Sequence, residues 1–312
     1  MMQLPAPGEH GGDAADIARA LGLGGAAMID LSASMNPFAP DTTRVLIDEL
    51  EGGRGLVGRY PDVADATTLL AEAIGVDPDL VVLTNGGAEA IALVAAEVPV
   101  GNVVEPEFSL YRRHLAAINP AAPRWRSNPS IPLGHLAAPG ESAAVWDEAF
   151  YPLATGTWTR NDATAWRLGS LTKLWNCPGL RLGYLIAPDA GAARRVRHRQ
   201  PQWAVNGLAL AVVPELLRRT DLTTWHTEIA RLRKDFTGVL SDLGYSVQPT
   251  TSNWVLVEHR ELRARLAPHG IVVRDCTSFG LPGLHRIALP THAQLDQVTA
   301  AFAAAFVPAN AG

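Results

Sequence analysis

Lysine is almost missing from this chain. Its 312 residues carry 26 lysines and arginines together, and only Lys173 and Lys234 are lysine, which leaves 24 arginines. Arginine stays protonated in proteins, so chemistry that needs an amine able to lose its proton has two candidates. Cysteine is equally scarce: Cys177 and Cys276 cannot build a disulfide framework and fit a reduced compartment. The longest apolar run, Ala88 to Val100, is interrupted by Glu89, Glu97 and Pro99, so no membrane span is expected. The opening Met1-Met2-Gln3-Leu4-Pro5 has no basic stretch before an apolar one, so no secretory signal and a cytoplasmic location are expected. Nine histidines and two distant cysteines show no zinc-ligand spacing. A net charge of −5 argues against a general nucleic-acid binder, and Arg194-Arg195-Val196-Arg197-His198-Arg199 reads as the solvated face of a helix.

What is present is a globular composition, 47% apolar and 18% charged. Short apolar runs at Leu80–Leu83, Asn102–Val104, Val145-Trp146, Ala165–Arg167 and Tyr184–Ile186 alternate with helical stretches such as Ala88–Val98 and Phe108–Ala117. That alternation predicts an α/β body with a mainly parallel sheet covered by helices. After Asn206 come two helices, four short strands and a closing helix, the pattern of a smaller α+β domain. Ile118 to Gly140, rich in Pro, Ala and Gly, is expected to be a long loop.

The two lysines sit in different settings. Lys234 lies among Arg231, Arg233 and Asp235 on the charged face of an amphipathic helix. Lys173 lies in Gly169-Ser170-Leu171-Thr172-Lys173-Leu174-Trp175, ahead of Pro178-Gly179-Leu180-Arg181-Leu182-Gly183. Apolar surroundings disfavour the ammonium form, which is what a Schiff-base lysine needs. Ser170 and Thr172 offer hydroxyls, and Arg181 a forked cation, to a nearby phosphate. Gly22-Leu23-Gly24-Gly25 suggests a dinucleotide site, but it follows a helical stretch rather than a strand, so the context is wrong.

The segment around Lys173 resembles the lysine motif of class I/II pyridoxal-phosphate aminotransferases: a small residue, any residue, Ser or Thr, Lys, then Arg-apolar-Gly eight residues on. The resemblance implies a large PLP-transferase-like domain over 32–205, an N-terminal arm over 1–31 and a small C-terminal domain over 206–312. It implies pyridoxal 5'-phosphate as cofactor, with Lys173 bonded to it and later moving the α-proton. Ser170, Thr172 and Arg181 would hold its phosphate. Asp147, in Trp146-Asp147-Glu148-Ala149-Phe150, would keep its ring nitrogen protonated. Thr84-Asn85-Gly86-Gly87-Ala88 matches the phosphate cup, with Gly87 and Ala88 as donors. Phe108 matches the ring stacked on the cofactor, and either Asn128 reaches the cofactor's ring oxygen after a loop shift or that contact is missing. Tyr60 matches the tyrosine that reaches a neighbouring subunit, implying a homodimer with shared active sites.

Within that superfamily the chain is most similar to the threonine-phosphate decarboxylases of cobalamin synthesis, with the histidinol-phosphate aminotransferases next. His10-Gly11-Gly12-Asp13, Asp30-Leu31-Ser32-Ala33-Ser34-Met35-Asn36-Pro37 and Val273-Arg274-Asp275-Cys276 carry this finer likeness. It implies that Arg286 clamps the substrate carboxylate, that Arg274, His10 and Gly11 hold a substrate phosphate, and that Asn36 lines the substrate site. Four departures stand out. Asp13 replaces an asparagine beside the expected phosphate. Ile131, in Asn128-Pro129-Ser130-Ile131-Pro132-Leu133-Gly134, replaces the asparagine expected at the ring oxygen. Phe150 replaces a tyrosine. The stretch from 111 to 147 is short by most of a strand-helix crossover.

Overall fold

The computed structural model describes residues 4–23, 28–53 and 55–306. Met1, Met2 and Gln3, and Gly24 and Gly25 of the glycine run, lie outside them. The chain divides into two compact units, one of residues 39–131 and 136–226, the other of residues 1–38, 132–135 and 227–312. Among the described residues no helix is long and apolar enough to cross a membrane.

The larger unit is built on a five-stranded sheet. Its strands run in the order Val81–Thr84, Gly183–Ile186, Trp166–Gly169, Val145–Asp147, Trp125–Ser127. Four of them point the same way, and only Gly183–Ile186 runs antiparallel to its neighbours. The three central strands are buried throughout, as a sheet covered on both faces requires. The helices Gly86–Glu97, Ser109–His114 and Ala190–Arg199 contribute Ile91, Val94, Leu110, Tyr111 and Val196 to one core cluster on this sheet.

Three expectations change here. Residues 118–140 are not all loop: Trp125–Ser127 forms the edge strand of the sheet, and Trp125 is fully buried. Three residues between prolines are too few to show a period in the sequence. The strand expected at Asn102–Val104 is instead Val100–Gly101, paired with Ala117–Ile118, plus a single bridge from Asn102 to Arg124. The rest of the shortened stretch is pinned by Arg160. Its guanidinium donates to the carbonyls of Ala138 (2.8 Å), Pro139 (3.1 Å) and Glu141 (2.8 Å) and lies 4.7 Å from the Trp146 ring. The helix Gly207–Arg218 packs against Thr42–Glu51 and Ala64–Ile74 in this unit, so residues 206–226 belong with the larger unit and not with the C-terminal one.

The smaller unit holds a four-stranded antiparallel sheet, ordered Arg274–Asp275, Leu284–Ala288, Trp254–Glu258, Ser246–Gln248. A short parallel pair joins Ile29–Asp30 to Ile271–Val272. The run Ile271–Val273 thus ends one pairing just before Arg274 begins another.

Candidate active site

In the larger unit the register lines up one edge of the sheet. Thr84 faces Gly183, Tyr184 faces Gly169, Leu168 faces Asp147, and Asp147 faces Ser127. These are the carboxyl ends of four like-directed strands, where α/β sheets place ligands. Asp147 ends its strand, and Ser170 and Lys173 follow directly on theirs.

Asp147 is buried. Its Oδ1 accepts from Ala149 N at 3.0 Å and its Oδ2 from Tyr111 Oη at 2.8 Å. Burial pushes its carboxyl up, against these two hydrogen bonds that favour the anion. Tyr111 also meets the Phe108 ring edge-on, with centroids 6.0 Å apart, so Phe108 stands beside the same acid. Asn128 is tied to Asp147 through its backbone, N to O at 2.8 Å, and is fully buried. Its Oδ1 accepts from Ala137 N at 2.9 Å, which fixes the amide's orientation and leaves Nδ2 as a buried donor with no partner. Lys173 is half-buried, its Nζ 6.0 Å from the centre of the Phe150 ring.

The other end of the row is a cup. Gly86–Glu97 is a twelve-residue helix, and the amides of Gly87 and Ala88 in its first turn have no carbonyl of their own helix to bond. Space is open around Gly87: a Cβ there would meet nothing within 4 Å. At Gly86, whose φ is +78°, a Cβ would fall 2.6 Å from Arg181 NH2, so the guanidinium lies against the turn. Gly183 lets its strand approach closely, because a Cβ there would fall 2.7 Å from Gly86 C and 2.8 Å from Gly87 N. That explains why the motif has glycine two residues after Arg181.

One expected phosphate ligand is not available. Thr172 is buried, and its hydroxyl donates to Leu182 O at 3.0 Å while accepting from Leu182 N at 3.2 Å. Its single proton is committed to holding the Arg181–Gly183 segment, so it has none to donate to a phosphate. Tyr60 is 74% exposed and stacks on Trp203, itself 53% exposed, at 4.2 Å.

The smaller unit gathers a second set. Arg274 and Arg286 are direct partners across adjacent antiparallel strands, so their side chains leave the same face. Both are buried. Arg286 donates from NH2 to Ser32 O at 3.2 Å, lies 5.2 Å from the Trp254 ring, and keeps an unpartnered Nε. Burial, reinforced by Arg274, pulls its pKa down to about 10, so it remains a cation at neutral pH. Beside it, Asn253 Nδ2 donates to Ser34 O and Met35 O, and buried Asn36 accepts from Phe38 N at 3.0 Å.

Arg274 donates to the carbonyls of Gly8, Glu9 and His10 and to Ser278 Oγ. It therefore anchors the N-terminal segment, and His10 and Gly11 are brought to it as main chain. A Cβ on Gly11 would fall 2.3 Å from Ser32 O, so that segment needs glycine to lie this close. Asp13 does not face an anion unpaired: Oδ2 accepts from Arg263 NH2 at 2.6 Å. Sequence inspection missed Arg263, Tyr111 and Glu107. Nothing in their spacing marks them, since each partner is far away in the chain.

Residues 141–302 match the family model for aminotransferase class I and II, just over half of the chain. The chain belongs to that family. This aminotransferase-family chain is 29% identical to the threonine-phosphate decarboxylase of Salmonella typhimurium, over 94% of its own length and 95% of the relative's. It is 26% identical to histidinol-phosphate aminotransferase 1 of Nitrosococcus oceani, over 91% and 90%. The crystal structure of histidinol-phosphate aminotransferase from Sinorhizobium meliloti, in complex with pyridoxal-5'-phosphate, shares its fold with a TM-score of 0.76 at 16% identity, covering 93% of each chain.

Family membership makes the chain a pyridoxal-phosphate-dependent enzyme. Its residues fit the cofactor. The orphaned Asn128 Nδ2, the open cup at Gly87 under Arg181, and the buried Asp147 match a ring oxygen, a phosphate and a ring nitrogen in turn. When bound, the cofactor supplies an electron sink for the bond that breaks at the substrate's α-carbon.

Proposed function

We propose that this enzyme is a decarboxylase of the threonine-phosphate type, serving a step of cobalamin synthesis. What carries the reading is the pair of buried arginines facing each other at 274 and 286. Like charges placed directly opposite destabilise a sheet, and an anionic ligand relieves them. A small phosphorylated amino acid brings a carboxylate and a phosphate. The similarity to the Salmonella typhimurium relative over nearly the whole chain supports the same class.

In this reading Lys173 bonds the cofactor and moves a proton at the substrate. Asp147 keeps a proton on the ring nitrogen, Phe108 stacks, and Asn128 donates to the ring oxygen in place of the residue that Ile131 replaces. Gly87, Ala88, Ser170 and Arg181 hold the phosphate. Arg286 holds the substrate carboxylate, with Asn36 beside it, and Arg274 serves the substrate phosphate by fixing the His10–Gly11 segment. Tyr60, presented on Trp203, reaches a second copy in a cytoplasmic homodimer. Replacing Arg286 by glutamine removes a buried cation, so kcat/KM should fall by roughly 30-fold or more, about 2 kcal/mol, mainly through KM. Steady-state kinetics check this, and an unchanged KM contradicts the assignment.

A second reading, an aminotransferase of the histidinol-phosphate type, is favoured by the family matched and by the Nitrosococcus oceani relative. Arg286 separates the two outcomes. Held one way, the carboxylate stays and the α-proton leaves to Lys173; held another way, the carboxylate leaves as carbon dioxide. Incubation of the purified enzyme with threonine phosphate should release carbon dioxide. Transfer of the amino group of histidinol phosphate to an added 2-keto acid, giving the corresponding ketone and a new amino acid without carbon dioxide, supports the second reading. Neither product on either substrate points to a cofactor-binding protein without catalysis.

A further inference from the structure

Glu107 is an acid to which the site described above gives no part. It lies just before the Ser109–His114 helix and is buried, unlike most glutamates. Its Oε1 accepts from Ser127 N at 3.0 Å and its Oε2 from Ser127 Oγ at 2.5 Å. Ser127 Oγ accepts from Ile131 N at 2.8 Å, so its one proton goes to Glu107. Ser127 is the register partner of Asp147 on the adjacent strand. Tyr111, which donates to Asp147 Oδ2, feels both carboxyls. Glu107 is thus bonded to Ser127 and Asp147 to Tyr111, and Tyr111 lies in the field of both buried acids.

We propose that Glu107 is a positioning residue: a second buried carboxyl that, with Ser127 and Tyr111, sets the proton balance of Asp147 and of the ring nitrogen Asp147 serves. The proposal rests on the cofactor reading above. Two carboxyls in one low-dielectric pocket resist ionising together. Burial, helped by Asp147 and opposed by the Ser127 hydrogen bonds, pushes Glu107 up to about 8. The other charged groups around it are Arg126, which pairs with Glu141, and Glu105, which accepts Glu107 N at 2.8 Å and pairs with Arg112. As Glu107 ionises, its charge adds to that of Asp147 and favours protons nearby. Glutamine keeps the volume and cannot ionise.

The test uses holoenzyme reconstituted with pyridoxal 5'-phosphate and the pH titration of its visible Schiff-base band. In Glu107→Gln the midpoint should fall by about half a pH unit or more, with cofactor affinity close to wild type. Ser127→Ala removes a bond that favours the Glu107 anion, so it should move the midpoint the same way by less. It also decides the matter if Glu107→Gln does not fold. Glu107→Asp, which restores the charge, should return the midpoint toward wild type. A wild-type band with both Glu107→Gln and Ser127→Ala superimposed on it overturns this proposal alone. A wild type with no band sinks the cofactor reading and this proposal with it.

Discussion

Lys173→Ala should lose the visible Schiff-base band and at least about 10³-fold in kcat, while remaining folded. No other lysine is placed to replace that amine. The other lysine, Lys234, is exposed on the long Leu222–Asp242 helix, and every remaining cation is arginine or histidine. Lys173 itself sits in a four-residue helical turn directly after the Trp166–Gly169 strand. The buried residues that fix this turn are Leu171, Thr172 and Leu174, and these stay in the variant. Stability should therefore change little while the covalent link disappears. Absorbance and single-turnover kinetics on the purified variant make the check. A band of wild-type intensity in Lys173→Ala contradicts the assignment.

Asp147→Asn should lower kcat by about 10²-fold or more with a smaller change in KM. Asparagine keeps the shape and can still accept from Tyr111, so the loss reports charge rather than packing. A buried carboxylate next to a protonated ring nitrogen is worth far more than one in water, because the pocket is desolvated. Burial pushes Asp147 up against its hydrogen bonds from Tyr111 and Ala149, so a cationic partner would favour its ionised form. Variant kcat within about threefold of wild type would falsify the role given to Asp147.

Much of this site was legible because it is local. Ser170, Lys173, Arg181 and Gly183 lie within fifteen residues, and the close approach of Gly183 to Gly86 and Gly87 shows why that spacing holds. Asp147, at a strand end, and Phe108, at a helix start, are assigned their roles by the family resemblance. Three features escaped. The Thr172 hydroxyl was expected on a phosphate but is spent on Leu182, a partner made by tertiary pairing. The Trp125–Ser127 strand was hidden because its edge pairing is set by Val145–Asp147, not by its own pattern. Glu107 carries no mark in the sequence, since burial of a glutamate leaves no trace there. The Ile131 and Asp13 departures gain physical answers only from the structure. Asn128 supplies a buried donor three residues earlier, and Arg263 neutralises Asp13 from 250 positions away.

The scarcity that opens the sequence also supplies the sharpest test. Reduction of the cofactor-loaded enzyme with borohydride fixes a Schiff base to its lysine, and peptide mapping by mass spectrometry then reads which lysine carries the label. With two lysines in the chain there are two possible positions. Label confined to Lys173, at close to one per chain, is the expected result. Label on Lys234, or a chain left unlabelled after loading, contradicts the account.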